Sequence, residues 1–322
     1  MRYATAVSLL TLAVSACAAE LRVGVFTLFR PTRLLVRPAE PAVVDGRLLP
    51  AGELMLIDHA PVRLTGLDGG DLVFALSIPG RIERRYHGTL EVIAESGFLV
   101  PVVKVGRETA VEAALAAELP EDAPAEALRA LAVVIRSYYA AGRRHAHFDF
   151  CDTTHCQFFR PPPLPEHPAS RAARATQNLV LTYRGAPFAP YYSAACGGRT
   201  RIPAELGLPV PDYPYRAVSC PSCRRDEPLW ERRIPYALAA GLLNAPSEPL
   251  RLRIARELGW SALPGNGYTV RRDGDFLVFG GSGSGHGIGL CQHGAMALAG
   301  DGVGWRDIIA KYLPGTAIVL QH

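Results

Sequence analysis

Lysine is almost absent from this chain. Only Lys104 and Lys311 are lysines among the 34 basic residues, and the 322 residues carry a formal net charge of +4. A nucleic-acid-binding protein presents a dense basic face, which so small a charge does not provide. We therefore expect no nucleic-acid partner.

Long apolar runs are missing beyond the first residues, so no transmembrane helix is predicted there. The chain begins with Met1 and Arg2, and an apolar run then extends from Tyr3 to Ala16. This pattern is typical of an export signal, here over residues 1–18, and the run is too short to span a bilayer permanently.

The end of this signal has two interpretations. Ala16-Cys17-Ala18 fits cleavage before Ala19, whereas the stretch from Val14 to Cys17 resembles a lipobox that would leave Cys17 as a lipidated N-terminus. In both cases the mature protein is expected to be exported, to the periplasm or the extracellular space. It would touch a membrane only through the lipid anchor.

Internal repeats and low-complexity tracts are absent as well, and 49% of the residues are hydrophobic, so the chain can bury a sizeable core. Short apolar segments between prolines and glycines predict a β-rich region over residues 19–92. Helical patterns start near Glu108, and a second helix, apolar on nearly every face, is expected in the core. We expect an α+β fold in which residues 93–322 form a mixed α/β domain, with a substrate cleft and an irregular insertion over about residues 201–275.

Two glutamates next to these helices are candidates for acid/base catalysis. Glu118 lies in an apolar run, where partial burial would raise its pKa and keep it protonated near neutral pH. Glu126 lies in the first turn of the second helix, where the helix dipole lowers the pKa of a carboxylate. Glu118 is therefore the expected general acid, and the alternative for Glu126 is a helix-terminal charge.

Histidines and cysteines are concentrated between residues 145 and 156. In an extended strand alternate residues share a face, so the side chains of four residues are expected to point the same way: His145, His147, Asp149 and Cys151. A turn would bring His155 and Cys156 round to them. Two thiolates and two imidazoles suit tetrahedral zinc in a closed, structural site. A Cys151–Cys156 disulfide is the alternative in an exported protein.

The other cysteines also allow disulfides, in pairings that the sequence cannot separate. Cys220 and Cys223 form a Cys-Pro-Ser-Cys pair, which is typical of a redox pair or of half a zinc site. Because no βαβ pattern surrounds this pair, a structural bridge to Cys196 or Cys291 is favoured.

Glycine alternates with other residues over residues 285–289. This pattern predicts unusual backbone dihedrals and close backbone approach, which would place His286 and Gln292 at the rim of a cleft. No P-loop lysine follows, and the Rossmann spacing is not met. A nucleotide site is therefore excluded, and no organic cofactor is expected.

Three segments carry a family resemblance: residues 116–140 (AAELPEDAPAEALRALAVVIRSYYA), 148–159 (FDFCDTTHCQFF) and 283–302 (GSGHGIGLCQHGAMALAGDG). With ATQNLVLTYRGAPFAPYYSAACGGRT between them and KYLPGT at the end, they resemble the SpoIID/LytB domain of sporulation and cell-division cell-wall proteins. The resemblance extends roughly from Tyr86 to Thr316, and residues 201–275 match weakly.

The resemblance implies a lytic transglycosylase that cleaves peptidoglycan glycan strands stripped of stem peptides and forms 1,6-anhydro-muramic acid ends. It places the catalytic glutamate at Glu118, since Glu118-Leu119-Pro120 stands where the family has Glu-Met-Pro. The family's Ala-Gln-Ala reads Ala130-Leu131-Ala132 here. The resemblance implies zinc ligands at His145, Cys151, His155 and Cys156, with His147 as a substitute for His145.

A glycan substrate implies further roles. Tyr191, Tyr192 and Ser193 are expected to line the cleft, because aromatic faces pack on sugar rings and hydroxyls bind their polar edges. Arg136 matches the family's arginine and is expected to bind the lactyl carboxylate of a stripped strand, with an internal ion pair as the alternative. A cell-wall amidase is an expected partner. The alternative function is a non-catalytic glycan-binding or amidase-enhancing module of the LytB type.

Overall fold

The computed structural model describes residues 20–209, 211–226, 229–243 and 247–321. The predicted export signal, with Cys17, lies outside these residues. Within the described part of the chain, no helix is both long and apolar enough to cross a membrane.

A mixed sheet of ten strands occupies the first part of the described chain. Its strands are β1 (Glu20–Gly24), β2 (Leu34–Pro38), β3 (Ala42–Val44), β4 (Arg47–Leu49), β5 (Met55–Ile57), β6 (Val62–Gly66), β7 (Leu72–Ile78), β8 (Ile82–Glu95), β9 (Phe98–Gly106) and, further along the chain, β10 (Phe150–Cys151). The main path runs β10-β1-β9-β8-β6-β3-β4, and β7, β2 and β5 continue from the first half of β8.

Strand β8 links the two halves of this sheet. Buried and more exposed residues alternate along most of it, as expected where one face covers a core. The predicted boundary between residues 92 and 93 falls inside β8, and the sheet continues to Gly106. The change from strand to helix therefore comes after β9.

Three helices follow or flank this sheet: α1 (Arg107–Glu118), α2 (Ala125–Ala140) and α3 (Pro168–Ala175). Helix α1 ends at Glu118 because Pro120 disfavours the helical conformation of Leu119, whose backbone is extended (φ −121°, ψ 146°). Helix α2 is buried at every residue over 130–139, which confirms the predicted central helix. It packs against α1 and α3.

The predicted insertion is more regular than expected. After β11 (Leu179–Tyr183), β12 (Ala186–Pro187) and β13 (Tyr192–Ser193), the chain forms α4 (Pro221–Asp226), β14 (Leu229–Pro235), α5 (Tyr236–Ala239), α6 (Ser247–Leu258), β15 (Tyr268–Asp273) and β16 (Phe276–Ser282). Strands β14, β16 and β15 form an antiparallel sheet with a small core of its own, which includes Ile234, Ile254 and Phe279. The many arginines of this segment hide its strand periodicity, so the prediction of an irregular insertion is wrong for residues 229–243 and 247–275.

The last elements return to the main core. They are β17 (Leu290–Cys291), α7 (Gln292–Gly300), α8 (Trp305–Tyr312) and β18 (Thr316–Leu320). Strand β17 pairs in parallel with β13, with Tyr192 opposite Leu290 and Ser193 opposite Cys291. This short pairing brings the glycine-rich segment next to the end of α1.

Candidate active site

Glu118 is the last residue of α1, and its side chain is partly buried. The backbone N–H of Phe158 donates to Oε1 at 3.2 Å, and Nε2 of Gln292 donates to Oε2 at 2.8 Å. The hydroxyl of Tyr192 lies 3.2 Å from Oε1. Groups from three distant segments of the chain therefore converge on one carboxyl group.

Burial raises the pKa of Glu118 above its ordinary value, although the surrounding hydrogen bonds act in the opposite direction. The C-terminal end of α1 carries the partial negative charge of the helix dipole, which disfavours the carboxylate further. A raised pKa increases the protonated fraction of the acid at any given pH, as a general acid requires. The direction of this shift agrees with the sequence prediction.

Tyr192 also binds Gln157, and its hydroxyl donates to Oε1 of that side chain at 2.9 Å. A tyrosine hydroxyl has a single proton, so it cannot donate to Gln157 and Glu118 at the same time. When the hydroxyl proton points to Glu118, it stabilises the carboxylate; when it points to Gln157, the Tyr192 oxygen can accept a hydrogen bond from protonated Glu118. Tyr192 can therefore bind both protonation states of Glu118.

The parallel pair β13–β17 explains why Tyr192 and Gln292 meet. Gly289 has φ +73°, and a Cβ there would lie 1.9 Å from the carbonyl oxygen of Tyr191. Only glycine permits this approach of the two segments. Gly285 and Gly287 also have positive φ, as the alternating glycines predict.

Glu118 lies in a pocket of about 100 Å³. Ser193 Oγ and Gln157 Nε2 are buried and have no hydrogen-bond partner among the described residues. Polar atoms in this condition can be satisfied by a polar ligand. The pocket is lined by Glu118, Thr154, Cys156, Gln157, Phe158, Tyr192, Ser193, Ala194, Arg251, Ser284, Gly285 and His286.

A second pocket of about 560 Å³ shares Thr154, Cys156 and His286 with the first. Its further lining residues include Tyr138, Arg144, Tyr191, Leu252 and Ile288. The two pockets adjoin at these three residues, and their walls are aromatic and polar, the usual character of a ligand site.

His286 and Tyr191 both line the second pocket. Nδ1 of His286 accepts a hydrogen bond from the backbone N–H of Ile288 at 3.0 Å, and its ring meets that of Tyr191 edge to face at 5.6 Å. Tyr191 in turn stacks on Tyr215 at 5.2 Å. The structure therefore brings these two predicted residues to the pockets with fixed ring orientations.

Arg136 does not line either pocket. Its side chain is fully buried in α2 and forms a two-pronged ion pair with Glu108, in which Nε and Nη2 each lie 2.8 Å from a carboxylate oxygen. It also donates to the carbonyl oxygens of Ala173 and Leu179. The predicted contact with a substrate carboxylate is wrong in this structure, because internal partners occupy the guanidinium.

Glu126 is also placed away from the pockets. Its Oε2 accepts a hydrogen bond at 2.9 Å from the backbone N–H of Trp305, the first residue of α8, and its Oε1 pairs with Arg129. The carboxylate thus caps the N-terminus of α8, a role that helix termini favour. The structure matches the helix-terminal alternative rather than a catalytic role.

A cluster of histidines and cysteines adjoins the Glu118 pocket. One potential ligand atom from each of four side chains lies within 4.8 Å of the others, and the set is His145, Cys151, His155 and Cys156. Sulfur–nitrogen distances are 3.4 Å from Cys156 to His145 and 3.8 Å from Cys151 to His155. Tetrahedral zinc places thiolate and imidazole ligands about 3.6 Å apart, so this donor set fits zinc. Both cysteines are free, in contrast to the disulfide alternative.

The backbone conformation that brings these side chains together differs from the predicted extended strand. Only Phe150 and Cys151 are extended as a strand, and the residues before them form bends. The argument from alternating residues is therefore wrong. His145 reaches the cluster, whereas His147 is exposed and does not belong to it.

Several residues that line the pockets were not predicted from the sequence. Gln157 and Phe158 directly follow Cys156 in the His/Cys segment, so their position beside a predicted site was a usable signal. Arg144 and Arg251 also line the pockets. Arg251 lies on α6 in the insertion, and no local pattern links that helix to Glu118.

Residues 96–183 match the SpoIID family model, described as Stage II sporulation protein. The matched stretch contains Glu118 and the His/Cys cluster but ends before Tyr192 and Gln292. The resemblance inferred from the sequence motifs is confirmed over this stretch. The chain is also similar to an uncharacterized protein of Brachyspira hyodysenteriae, with 26% identity over 267 residues that cover 73% of this chain and 72% of that protein.

Proposed function

We propose that this protein is a lytic transglycosylase of peptidoglycan glycan strands with Glu118 as its acid and base, because residues 96–183 match the SpoIID family model and that family has a cell-wall-related role. The observation that supports this proposal is the number of carboxyl groups that line the two pockets. Glu118 is the only carboxyl group among the described residues that line them.

The presence of a single carboxyl group distinguishes between hydrolysis and transglycosylation of a glycan strand. Hydrolysis by most glycosidases uses a pair of carboxylates, one for the leaving group and one for water or the sugar carbon. Formation of a 1,6-anhydro ring needs only one, because the substrate supplies its own nucleophile. The pocket content therefore favours transglycosylation.

In the first step, protonated Glu118 donates its proton to the glycosidic oxygen as the bond from that oxygen to C1 of muramic acid breaks. In the second, the C6 hydroxyl of the same muramic acid attacks C1, and Glu118 takes up the hydroxyl proton. A C–O bond is broken, another is formed, and Glu118 returns to its acid form without water. Gln292 stabilises the intermediate carboxylate by its hydrogen bond to Oε2.

The proposed substrate is a strand stripped of stem peptides, in which each muramic acid exposes a lactyl carboxylate. Arg144 is the arginine available for it, because it is exposed and lines the larger pocket. Its planar guanidinium can bind a carboxylate through two parallel hydrogen bonds. Arg144 thus takes the role expected of Arg136. An amidase that removes the stem peptides would act first, and both enzymes would work outside the cytoplasm.

The His/Cys cluster would hold a structural zinc ion. Four protein ligands close its coordination sphere, so the ion would contribute folding energy rather than activate water. The segment that it fixes continues directly into Gln157 and Phe158, which contact Tyr192 and Glu118. The cluster would therefore position the acid by holding this segment.

The proposal is tested by incubating purified protein with glycan strands from which an amidase has removed all stem peptides. Mass spectrometry should detect products that end in 1,6-anhydro-muramic acid. Strand binding with no new ends would favour the non-catalytic LytB-type module, and reducing ends formed with uptake of water would indicate a hydrolase.

A further inference from the structure

A second group of cysteines lies within the main core, apart from the His/Cys cluster. All four side chains are buried, and their sulfur atoms lie within 4.8 Å of one another. None of them forms a disulfide. The members are Cys196, Cys220, Cys223 and Cys291.

The spacing of these sulfur atoms fits a metal better than disulfides. The sulfur atoms of Cys223 and Cys291 are 3.9 Å apart. A disulfide requires about 2.05 Å. Four thiolates at about 2.3 Å from a tetrahedral zinc ion lie about 3.8 Å from one another.

Backbone hydrogen-bond donors lie next to two of the four sulfur atoms. The backbone N–H groups of Cys196 and Gly294 donate to the sulfur of Cys291, each at 3.4 Å, and that of Gly197 donates to Cys223 at 3.2 Å. Metal-bound thiolates carry negative charge, and such donors stabilise it and orient the ligands. Uncharged thiols in a plain apolar core would not need them.

A third sulfur atom, that of Cys220, has a comparable environment. The hydroxyl of Tyr312 lies 3.3 Å from the sulfur of Cys220. Gly294 lies against both groups, since a Cβ there would come within 2.0 Å of the Tyr312 hydroxyl and 2.4 Å of the Cys220 sulfur. A glycine at this point of α7 leaves space for the sulfur cluster.

We propose that these four cysteines bind one zinc ion as a closed, structural tetrathiolate site. Cys220 and Cys223 supply the Cys-x-x-Cys half that is common in such sites, at the start of α4. Cys196 and Cys291 supply the other half from two separate segments. The ion would thus join three parts of the chain: the segment after β13, the start of α4, and β17.

The position of the site indicates its role in the fold. Cys291 directly precedes Gln292, and Cys196 follows Ser193 closely, so both lie at the end of the parallel pair β13–β17. That pair of two-residue strands carries Tyr192 to Glu118. Zinc at this place would stabilise a pairing that is too short to be stable alone.

The decisive measurement uses the double variant Cys151→Ser/Cys156→Ser, which lacks the thiolates of the His/Cys cluster and keeps the second group intact. It should retain one zinc per chain by native mass spectrometry, against two in the parent. Zinc-edge X-ray absorption should show sulfur alone, at about 2.3 Å. A zinc-free variant, a mass that reveals two disulfides, or iron in place of zinc would overturn the proposal.

The complementary variant Cys220→Ser/Cys223→Ser should lose one zinc and keep the other. Ser219→Ala is its matched control, because Ser219 is exposed beside Cys220, and it should retain both ions. If either double variant fails to fold, zinc-edge X-ray absorption of the parent protein still tests the proposal. Its average zinc shell should contain three sulfurs for each nitrogen, whereas the His/Cys cluster alone would give equal numbers.

Discussion

The side-chain amide of Gln292, the first residue of α7, donates a 2.8 Å hydrogen bond to the carboxyl group of Glu118, the last residue of α1. This bond stabilises the carboxylate and lowers the pKa of Glu118, whereas burial raises it. The two effects set the pH range in which Glu118 can act as an acid.

Replacing Gln292 by leucine should therefore move the pH dependence of cleavage. Loss of the donor raises the pKa of Glu118, so the decline of kcat/KM at high pH should shift to higher pH, while the maximal rate falls because the carboxylate intermediate is less stabilised. A pH–rate profile checks this. The matched control is the exposed Gln177→Leu, which should leave the profile unchanged. If the high-pH limb of the kcat/KM profile does not move in Gln292→Leu, a group other than Glu118 controls that limb.

The raised pKa of Glu118 also predicts a pH-dependent stability. The folded state binds the proton more tightly than the unfolded state, so stability is greatest below the unfolded pKa and falls as pH rises through the folded pKa. Glutamine does not titrate. Melting temperatures of Glu118→Gln and the parent should agree at low pH, and the variant should become the more stable protein as pH rises. Parallel curves across the whole range would contradict the raised pKa.

Local patterns were sufficient to predict much of this fold. The alternation in β7 and β8 and the largely apolar α2 are properties of short segments, and the apolar surroundings of Glu118 indicated a buried acid. The partners of that acid depend on the pairing of β13 with β17. Strands of two residues have no readable period, so contacts of Tyr192 and Gln292 with Glu118 were beyond prediction.

Arg136 shows a further limit of sequence reasoning. An arginine in an apolar helix requires a partner, but a substrate carboxylate and an internal one satisfy that need equally. Only the packing of α1 against α2, which places Glu108 beside Arg136, distinguishes them. The convergence of the four cysteines of the second group likewise depends on the folded chain.

The two histidines of the His/Cys segment should differ in zinc binding. His145→Ala removes a ligand of the proposed site, so one zinc per chain should be lost and the melting temperature should fall, because structural zinc contributes to folding. His147→Ala is the matched control, since its side chain is exposed outside the cluster. Metal analysis and thermal unfolding of both variants check this. Equal zinc contents in the two variants would remove His145 from the ligand set.

The two arginines should separate stability from substrate binding. Arg136→Lys keeps the charge but loses the two-pronged pair with Glu108, so unfolding free energy should fall by about 3 kcal/mol. Activity on stripped and on peptide-bearing strands should decrease equally. Denaturant unfolding and initial rates on both substrates check this.

Arg144→Ala should show the opposite behaviour. Its melting temperature should match the parent, because the side chain is exposed, while KM should rise for stripped strands only. Unchanged kinetics on stripped strands would exclude Arg144 from carboxylate recognition. If Arg136→Lys instead lost activity on stripped strands only, Arg136 would be the arginine that binds the lactyl carboxylate.

Catalysis by Glu118 is tested most directly by counting 1,6-anhydro-muramic acid ends released from stripped glycan strands, by mass spectrometry, for the parent, Glu118→Gln and Glu126→Gln. Glutamine keeps the shape of the side chain and removes the titrating proton. We predict that Glu118→Gln lowers the rate by about two orders of magnitude or more, while Glu126→Gln, which only weakens a helix cap, retains most of it. Parent-like activity of Glu118→Gln would contradict the account.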